Sequence, residues 1–198
     1  MMKRQDYYYR KAKRERYKSR ASYKLKFIDE KFYIFKKGFN VLDLGASPGG
    51  WTQVALELTY GGKVISVDIK PVRLEGSIYV NGDIFDENTL EKIKKKMNEN
   101  GIEKFDVIIS DMSPKISGIR EIDHMQSLEL GKRVIEISKD LLAFNGSIVI
   151  KLFQGQDLNN FKNNVEKSFD FCKLYTPPAS RVGSREVYLV CKKFKGII

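Results

Sequence analysis

Short apolar runs alternate with longer amphipathic segments along most of this 198-residue chain. The apolar runs predict strands at Asn40–Leu44, Lys63–Asp68, Ser77–Val80, Phe105–Ser110 and Ser147–Phe153. Apolar residues at helical spacing predict helices at Ser22–Phe35, Thr52–Leu58, Glu87–Asn98, His124–Leu142 and Leu158–Lys167. Two closing strands, Phe171–Tyr175 and Glu186–Cys191, are predicted to pair like a hairpin.

Repeated strand–helix units require a mostly parallel sheet with helices on both faces. We therefore predict an α/β fold with seven strands, in which the closing pair supplies one antiparallel strand. The chain length suits a single domain, residues 21–198, preceded by a basic arm, residues 1–20. Ligands of such sheets bind beyond the carboxyl ends of the strands, so functional residues should follow strands directly.

The segment VLDLGASPGGW, from Val41 to Trp51, predicts a buried strand, a glycine-rich turn and the start of a helix. Such a turn can hold a nucleotide-like cofactor against backbone N–H groups. The dinucleotide pattern would place glycine at Ser47, and Pro48 removes an N–H that a pyrophosphate could use. S-adenosylmethionine, which has no pyrophosphate, is the candidate, and an ordinary turn is the alternative. The predicted cofactor contacts in the loop are Gly45, Ser47, Pro48, Gly49 and Trp51, although Trp51 could equally belong to the core.

Aspartates follow three of the predicted strands. Asp68 is placed to accept hydrogen bonds from ribose hydroxyls, Asp83 to receive an adenine amino group, and Asp111 to point into the same crevice. Each could also be an ordinary capping or turn residue, but three at successive strand ends favour a ligand site. Asp43, inside the first strand, is expected to organise the loop backbone.

The net charge of +11 is concentrated near the N-terminus. Residues 1–26 contain eleven lysines and arginines, two acidic residues and five of the ten tyrosines, which leaves a net charge of +2 for the rest. Cations suit phosphates and aromatic rings suit base stacking, so this composition favours a nucleic-acid-binding arm over a solvated tail. The predicted contacts are Arg10, Lys11, Lys13, Arg14, Arg16, Lys18 and Arg20.

The remaining composition narrows the function classes. Cys172 and Cys191 are far apart without metal-ligand spacing, so we expect packing roles and a reducing, cytoplasmic setting. His124 is the only histidine, which excludes a histidine metal cluster, and we expect it to be a capping or surface residue. No apolar run has the length of a membrane span and no signal peptide is visible, so we expect no membrane association. The cysteine spacing and the single histidine lead us to expect no metal, and the absence of an extra apolar helix leads us to expect a monomer.

Two lysines and a glutamate complete the candidate chemistry. Lys151 interrupts the apolar strand SIVIKLF, where a buried charge is costly. Lys24 lies in SRASYKL and Glu186 in SREVYLV. Together with DLGASPGGW, SDMSP and VIKLFQG, these motifs resemble the FtsJ/RrmJ family of RNA ribose 2′-O-methyltransferases, in the family's order and over nearly the whole chain.

The resemblance implies a Rossmann-like class I S-adenosylmethionine-dependent methyltransferase fold and a ribosomal RNA substrate in the large subunit, as in the RlmE type, with uridine as the expected nucleotide. It implies a catalytic tetrad of Lys24, Asp111, Lys151 and Glu186. The family's cofactor contacts would fall on Gly49, Trp51, Asp68, Asp83 and Asp111.

Methyl transfer to a ribose hydroxyl requires a positioned acceptor and a proton acceptor. We expect Lys151 to be the general base, with Lys24 as the weaker option. Burial and the neighbouring Lys24 cation favour the neutral amine of Lys151, whereas Asp111 and Glu186 favour the charged form and should orient the site. A tRNA anticodon loop as substrate, or a non-catalytic RNA-binding protein of ribosome assembly, are the alternatives.

Overall fold

The computed structural model describes residues 4–196, with side chains from Tyr7 onward. The ends of the predicted arm and domain, residues 1–3 and 197–198, lie outside this range. The helices are α1 (Arg4–Arg14), α2 (Ser22–Phe32), α3 (Gly50–Leu58), α4 (Glu87–Glu99), α5 (Arg120–Leu141) and α6 (Leu158–Glu166). The strands are β1 (Val41–Leu44), β2 (Val64–Asp68), β3 (Ser77–Asn81), β4 (Phe105–Ser110), β5 (Leu142–Phe153), β6 (Phe169–Tyr175) and β7 (Glu186–Phe194).

The seven strands form one sheet in the order β3-β2-β1-β4-β5-β7-β6. The strands from β3 to β5 pair in parallel, whereas β7 is antiparallel to both β5 and β6. The predicted α/β sheet with one antiparallel strand is therefore confirmed. The strand order reverses between β1 and β4, which places the ligand-binding crevice of such a sheet at the carboxyl ends of these two strands.

Apolar side chains cover both faces of the sheet. On one face, strand residues such as Leu42 and Ile108 pack with Leu128 and Val134 of α5. On the other face, a second cluster joins further strand residues to the two N-terminal helices of the domain, α2 and α3. Helices on both faces are thus confirmed, and burial of both strand faces explains the near-continuous apolar runs.

Element boundaries differ from the predictions in ways that have local causes. Helix α2 ends at Phe32 because Tyr33 adopts a left-handed conformation, with φ of 53°, and the Asp29 carboxylate accepts the N–H groups of Ile34 and Phe35. Strand β5 begins at Leu142, five residues before the predicted start, because Leu142 already pairs with Phe105 across an irregular register.

Helix α1 lies within the basic arm and was not predicted. Tyr8 and Ala12, one helical turn apart, pack against Tyr23 and Phe27 of α2. This apolar contact area is small and its residues are tyrosine and alanine, so the hydrophobic pattern gave no signal for a helix. The arm is therefore held against the domain by its own side chains.

The two cysteines are paired. Cys172 and Cys191 are direct partners in the antiparallel register of β6 and β7, and they form a disulfide. The expectation of free thiols with packing roles was wrong on this point, because sequence spacing does not reveal which residues face each other across two strands. A cytoplasmic location remains a prediction without the support of free thiols. No helix within residues 4–196 has the length and apolar character needed to cross a membrane.

Candidate functional site

A cavity of about 730 Å³ lies at the carboxyl ends of the strands on both sides of the order reversal. We call it the carboxylate cavity because Asp68, Asp83 and Asp111 all line it, together with Gly45 and Ser47 of the loop after β1. The structure therefore brings together the three strand-end aspartates that were selected from sequence.

Hydrogen bonds fix the loop after β1 to its neighbours. The Ser47 N–H donates to Asp68 Oδ2 at 2.9 Å, so the aspartate that ends β2 holds the glycine-rich loop in place. Gly45 has a φ of 76°, and a side chain at this position would collide with Met112. Glycine at position 45 thus keeps both a left-handed turn and room beside the cavity.

Three of the loop residues predicted to contact the cofactor do not line this cavity. Pro48 is exposed, and Gly49 is buried at the N-cap of α3, where a side chain would lie 2.7 Å from Leu74. Trp51 is buried in the core cluster, its Nε1 donates to the Ala21 carbonyl at 2.9 Å, and its ring lies 5.6 Å from that of Tyr188. The Trp51 side chain therefore joins α3 to the segment that precedes α2.

Asp43 lies in β1 beneath the loop and is fully buried. Its Oδ2 accepts the Thr52 hydroxyl at 2.6 Å, whereas its Oδ1 has no hydrogen-bond partner within the described residues. Burial raises the pKa of Asp43 to about 7. The hydrogen bond from Thr52 lowers this pKa, whereas the negative charges of Asp111 and Asp68 raise it. The carboxylates around this cavity therefore repel one another.

The four residues of the predicted tetrad form two ion pairs. Lys151 Nζ donates to the main-chain carbonyl of Asp111 at 2.5 Å and lies 3.3 Å from Asp111 Oδ1. Lys24 Nζ lies 2.7 Å from Glu186 Oε2. Both lysines are buried, at 7% exposure or less, which is unusual for lysine without a partner.

The two pairs influence each other electrostatically. Burial opposes ionisation of Glu186, but the adjacent Lys24 and the charge of Lys151 outweigh it and lower the pKa of Glu186. Glu186 is thus held as a carboxylate, mainly by Lys24, and the charge of one ion pair affects the other.

Tyr188 is a residue of this cluster that sequence reasoning missed. Its hydroxyl donates to Asp111 Oδ1 at 2.8 Å, and its ring lies 5.6 Å from Lys24 Nζ. Burial raises the pKa of Tyr188 well above its usual value, and the charges of Asp111 and Glu186 raise it further. The available signal was strand alternation, since Tyr188 follows Glu186 by two residues and faces Lys151 across the β5–β7 register.

The first two turns of α5 contact the end of β5 and the residue before β7, the strands that carry Lys151 and Glu186. Asp123 is fully buried, and its carboxylate accepts the N–H and hydroxyl of Ser117 and lies 3.1 Å from Arg185 Nη2. Phe153, at the end of β5, donates its N–H to Ser127 Oγ, and its carbonyl lies 2.9 Å from His124 Nδ1. These contacts tie α5 to the residues beside Lys151 and Glu186.

His124 was expected at the surface or as a cap, and that expectation was wrong. The side chain is 4% exposed and packs against Gly155, where no larger residue would fit. The Asp157 N–H donates to His124 Nε2 at 3.4 Å, so the ring joins the end of β5 to the start of α6. A single histidine in a sequence carries no pattern from which such burial could be read.

A second cavity, of about 570 Å³, lies on the other side of the tetrad. We call it the arginine cavity because Arg20, Arg181 and Arg185 line it, together with Lys24 and Glu186. Ser113 lines both cavities, so they adjoin at the loop after β4. Of the predicted tetrad, Asp111 thus lines the cavity with three carboxylates, and Lys24 and Glu186 line the cavity with several cations. Lys151 lines neither cavity and contacts Asp111.

The predicted arm contacts are distributed around α1 and the turn after it. Five of them are exposed, whereas Lys11 and Arg20 are half-buried; the exposed residues are Arg10, Lys13, Arg14, Arg16 and Lys18. Tyr17, which follows the helix, donates its hydroxyl to Glu57 of α3 at 2.6 Å. Two aromatic rings of the arm, those of Tyr8 and Tyr17, therefore contact the domain, while Tyr7 and Tyr9 remain half exposed.

The sequence model of FtsJ-like methyltransferases matches residues 17–194. The chain belongs to this family. A Ribosomal RNA large subunit methyltransferase E from Archaeoglobus fulgidus is 46% identical over 198 residues, which cover all of both chains. The protein of the same name from Methanothrix thermoacetophila is also 46% identical, over 95% of this chain and 72% of its own length.

A solved structure is similar to this FtsJ-like methyltransferase throughout the fold. The crystal structure of a protein described as a ribosomal RNA methyltransferase from Plasmodium falciparum matches with a TM-score of 0.82 and 32% sequence identity. The match covers 91% of this chain and all of that chain. The family assignment therefore rests on sequence and on structure.

Proposed function

We propose that this FtsJ-like protein methylates a ribose 2′-hydroxyl, of a uridine, in large-subunit ribosomal RNA, with S-adenosylmethionine as methyl donor. The observation that carries the proposal is the buried Lys151–Asp111 pair, whose aspartate lines the carboxylate cavity, while the Lys24–Glu186 pair lines the adjoining arginine cavity. The relatives named as large-subunit ribosomal RNA methyltransferases support the choice of RNA.

The residues of the carboxylate cavity suit S-adenosylmethionine. This cofactor carries a sulfonium and an ammonium group, and the mutually repelling carboxylates of Asp43, Asp68 and Asp111 gain stability from a cationic ligand. Asp68 and Asp83 end or follow neighbouring parallel strands, which suits hydrogen bonds to ribose hydroxyls and to an adenine amino group. When bound, the cofactor supplies an electrophilic methyl group.

Lys151 is our proposed proton acceptor for the ribose hydroxyl. Its Nζ is held by both the carbonyl and the carboxylate of Asp111, which itself lines the cofactor cavity. Asp111 therefore orients the amine toward the place where acceptor and methyl group meet. Such positioning lowers the barrier of an in-line displacement, and proton removal adds about 10²–10⁴-fold.

Lys24 and Glu186 hold the opposite side of the reaction centre. Their ion pair lines the arginine cavity, so both groups can hydrogen-bond an incoming ribose. The exposed cations of the arm would bind RNA phosphates, which position a substrate without specifying its sequence.

Labelled S-adenosylmethionine tests this function. We expect purified protein to transfer label to large ribosomal subunits or to their RNA, and digestion to place the label on a ribose 2′-oxygen. Label on bulk tRNA instead would favour the anticodon-loop alternative. Binding of RNA without any transfer would favour a non-catalytic role in ribosome assembly. Sedimentation of the purified protein tests the predicted monomer, and fractionation of cells tests the predicted cytoplasmic location.

A further inference from the structure

The loop between β3 and α4 forms one side of the carboxylate cavity. Asp83, Ile84 and Phe85 of this loop all line the cavity. The Asp83 carboxylate is oriented from within the loop, because its Oδ1 accepts the Phe85 N–H at 3.0 Å. The side chain proposed to bind the adenine amino group therefore keeps its orientation only while the backbone from Asp83 to Phe85 keeps its conformation.

Helix α5 also lines this cavity and is bonded to the loop. Glu129 and Leu130 line the cavity, and Arg133 follows them by four and three residues on the same helix face. Arg133 Nε donates to the Ile84 carbonyl at 2.6 Å. This hydrogen bond joins residues that are 49 positions apart in the chain, so it depends on the tertiary fold.

One peptide group connects Arg133 to Asp83. The Ile84 carbonyl and the Phe85 N–H belong to the same peptide unit, so the group that accepts from Arg133 also donates to Asp83 Oδ1. Because this unit is planar, a fixed carbonyl direction also fixes the direction of the N–H. A charged donor on the carbonyl polarises the N–H as well, which strengthens its bond to the carboxylate.

The other contacts of Arg133 hold its guanidinium in place. Nη2 donates to Glu87 at 2.9 Å and Nη1 donates to Glu136 at 3.2 Å, while the Arg133 side chain is 14% exposed. Both glutamate side chains are exposed, so these ion pairs add little to stability. Their effect is to fix the plane of the guanidinium, which directs Nε at the Ile84 carbonyl.

We infer that Arg133 is a positioning residue for cofactor recognition: through the Ile84–Phe85 peptide it holds the Asp83 carboxylate in the orientation that accepts a hydrogen bond from the adenine amino group. This inference rests on the proposed function, because it concerns how the same site selects its methyl donor. Arg133 does not line the carboxylate cavity itself, so it acts through Asp83 and not by contact with the cofactor.

Two ligands measured by calorimetry test this role without catalysis. They are S-adenosylhomocysteine and its purine riboside analogue, in which a hydrogen replaces the adenine amino group. We expect the wild type to bind S-adenosylhomocysteine about tenfold more tightly than the analogue, since the analogue leaves Asp83 without a donor. We expect Arg133→Ala to reduce this preference to about twofold, and Arg133→Lys, which keeps the charge without the planar donors, to give an intermediate value.

The controls separate this role from a general loss of structure. Lys132→Ala on α5 and Lys95→Ala on α4 each remove an exposed charge and should keep the wild-type preference. Arg133→Ala combined with Asp83→Ala should show the preference of Asp83→Ala alone. An unchanged preference in Arg133→Ala, even with both affinities lowered, would overturn the role and show that burial of Ile84 is enough to hold the loop.

The wild-type measurements distinguish failure of this inference from failure of the proposed function. If the wild type binds both ligands equally, Asp83 does not bind the amino group and only the inference is overturned. If the wild type binds neither ligand, the proposed methyl donor is wrong and the inference fails with it.

Discussion

The carboxylate cavity and the arginine cavity adjoin at Ser113 and differ in charge and in construction. Much of the carboxylate cavity comes from residues that directly follow strands, where the sheet order reverses. The arginine cavity combines a residue before α2 with a connection about 160 residues further along the chain. The comparison teaches that the carboxylate cavity, our proposed donor side, follows from topology, whereas the arginine cavity, our proposed acceptor side, is assembled by tertiary contacts. The tetrad joins the two sides.

Removal of the Lys151 amine should have the largest effect, because it removes the proposed proton acceptor held by Asp111. We expect Lys151→Ala to lower the rate of methyl transfer by about 10²–10⁴-fold, while S-adenosylmethionine and RNA still bind. Single-turnover methylation with equilibrium binding measures both. Lys95→Ala serves as the charge-loss control. An unchanged rate would remove Lys151 as the base.

A change on the donor side should leave the acceptor side intact. Asp68→Asn keeps an oxygen for the Ser47 N–H but loses the negative charge. We expect S-adenosylmethionine affinity to fall about tenfold, because a charge-assisted hydrogen bond becomes a neutral one, while RNA affinity is unchanged. Calorimetry and RNA titration measure the two affinities. A parallel loss of RNA affinity would show that the two cavities are not separable.

Neutralising cations of the arm should weaken RNA binding and leave S-adenosylmethionine affinity unchanged. Replacing Lys13, Arg14 and Lys18 by glutamine removes exposed charges and spares Ala12 and Tyr17, which contact the domain. We expect the salt slope of RNA binding to fall by about 2, since each phosphate contact to a single strand contributes about 0.7. Fluorescence titrations over a salt series measure the slope. A slope equal to that of wild type would make the arm a solvated surface.

The effect least coupled to catalysis concerns stability and arises at Asp43, the buried carboxylate beneath the carboxylate cavity. A folded-state pKa of about 7 for Asp43, against an ordinary value of 3.8, means that the folded protein retains a proton over this interval. Its stability should therefore fall as the pH rises from about 4 to about 7. Without cofactor, the free energy of unfolding of Asp43→Asn relative to that of wild type should increase by about 2 kcal/mol between pH 5 and pH 8, because only the wild type has this carboxyl group to ionise. Denaturant unfolding at several pH values measures both free energies. A difference between the two proteins that does not change with pH would contradict the prediction.

Much of the fold could be predicted from sequence because apolar runs, glycines and strand-end aspartates are local signals. The β5 strand around Lys151 and the loop from Gly45 are examples, and the tetrad followed from motif resemblance. Helix α1, the Cys172–Cys191 disulfide and the burial of His124 depend on which surfaces meet after folding, and no local pattern encodes that. Tyr188 lies between these cases, since strand alternation with Glu186 offered a signal that was not used.

The central claim is that a lysine between a cofactor cavity and an RNA-binding cavity promotes ribose methylation. The most direct measurement is transfer of label from S-adenosylmethionine to large ribosomal subunits by wild type and by Lys151→Ala, with the labelled nucleoside identified after digestion. We predict a 2′-O-methylated ribose in large-subunit RNA with the wild type and, over the same reaction time, a signal at least about a hundredfold lower with the variant. Label on a base, or equal labelling by both proteins, would contradict the account.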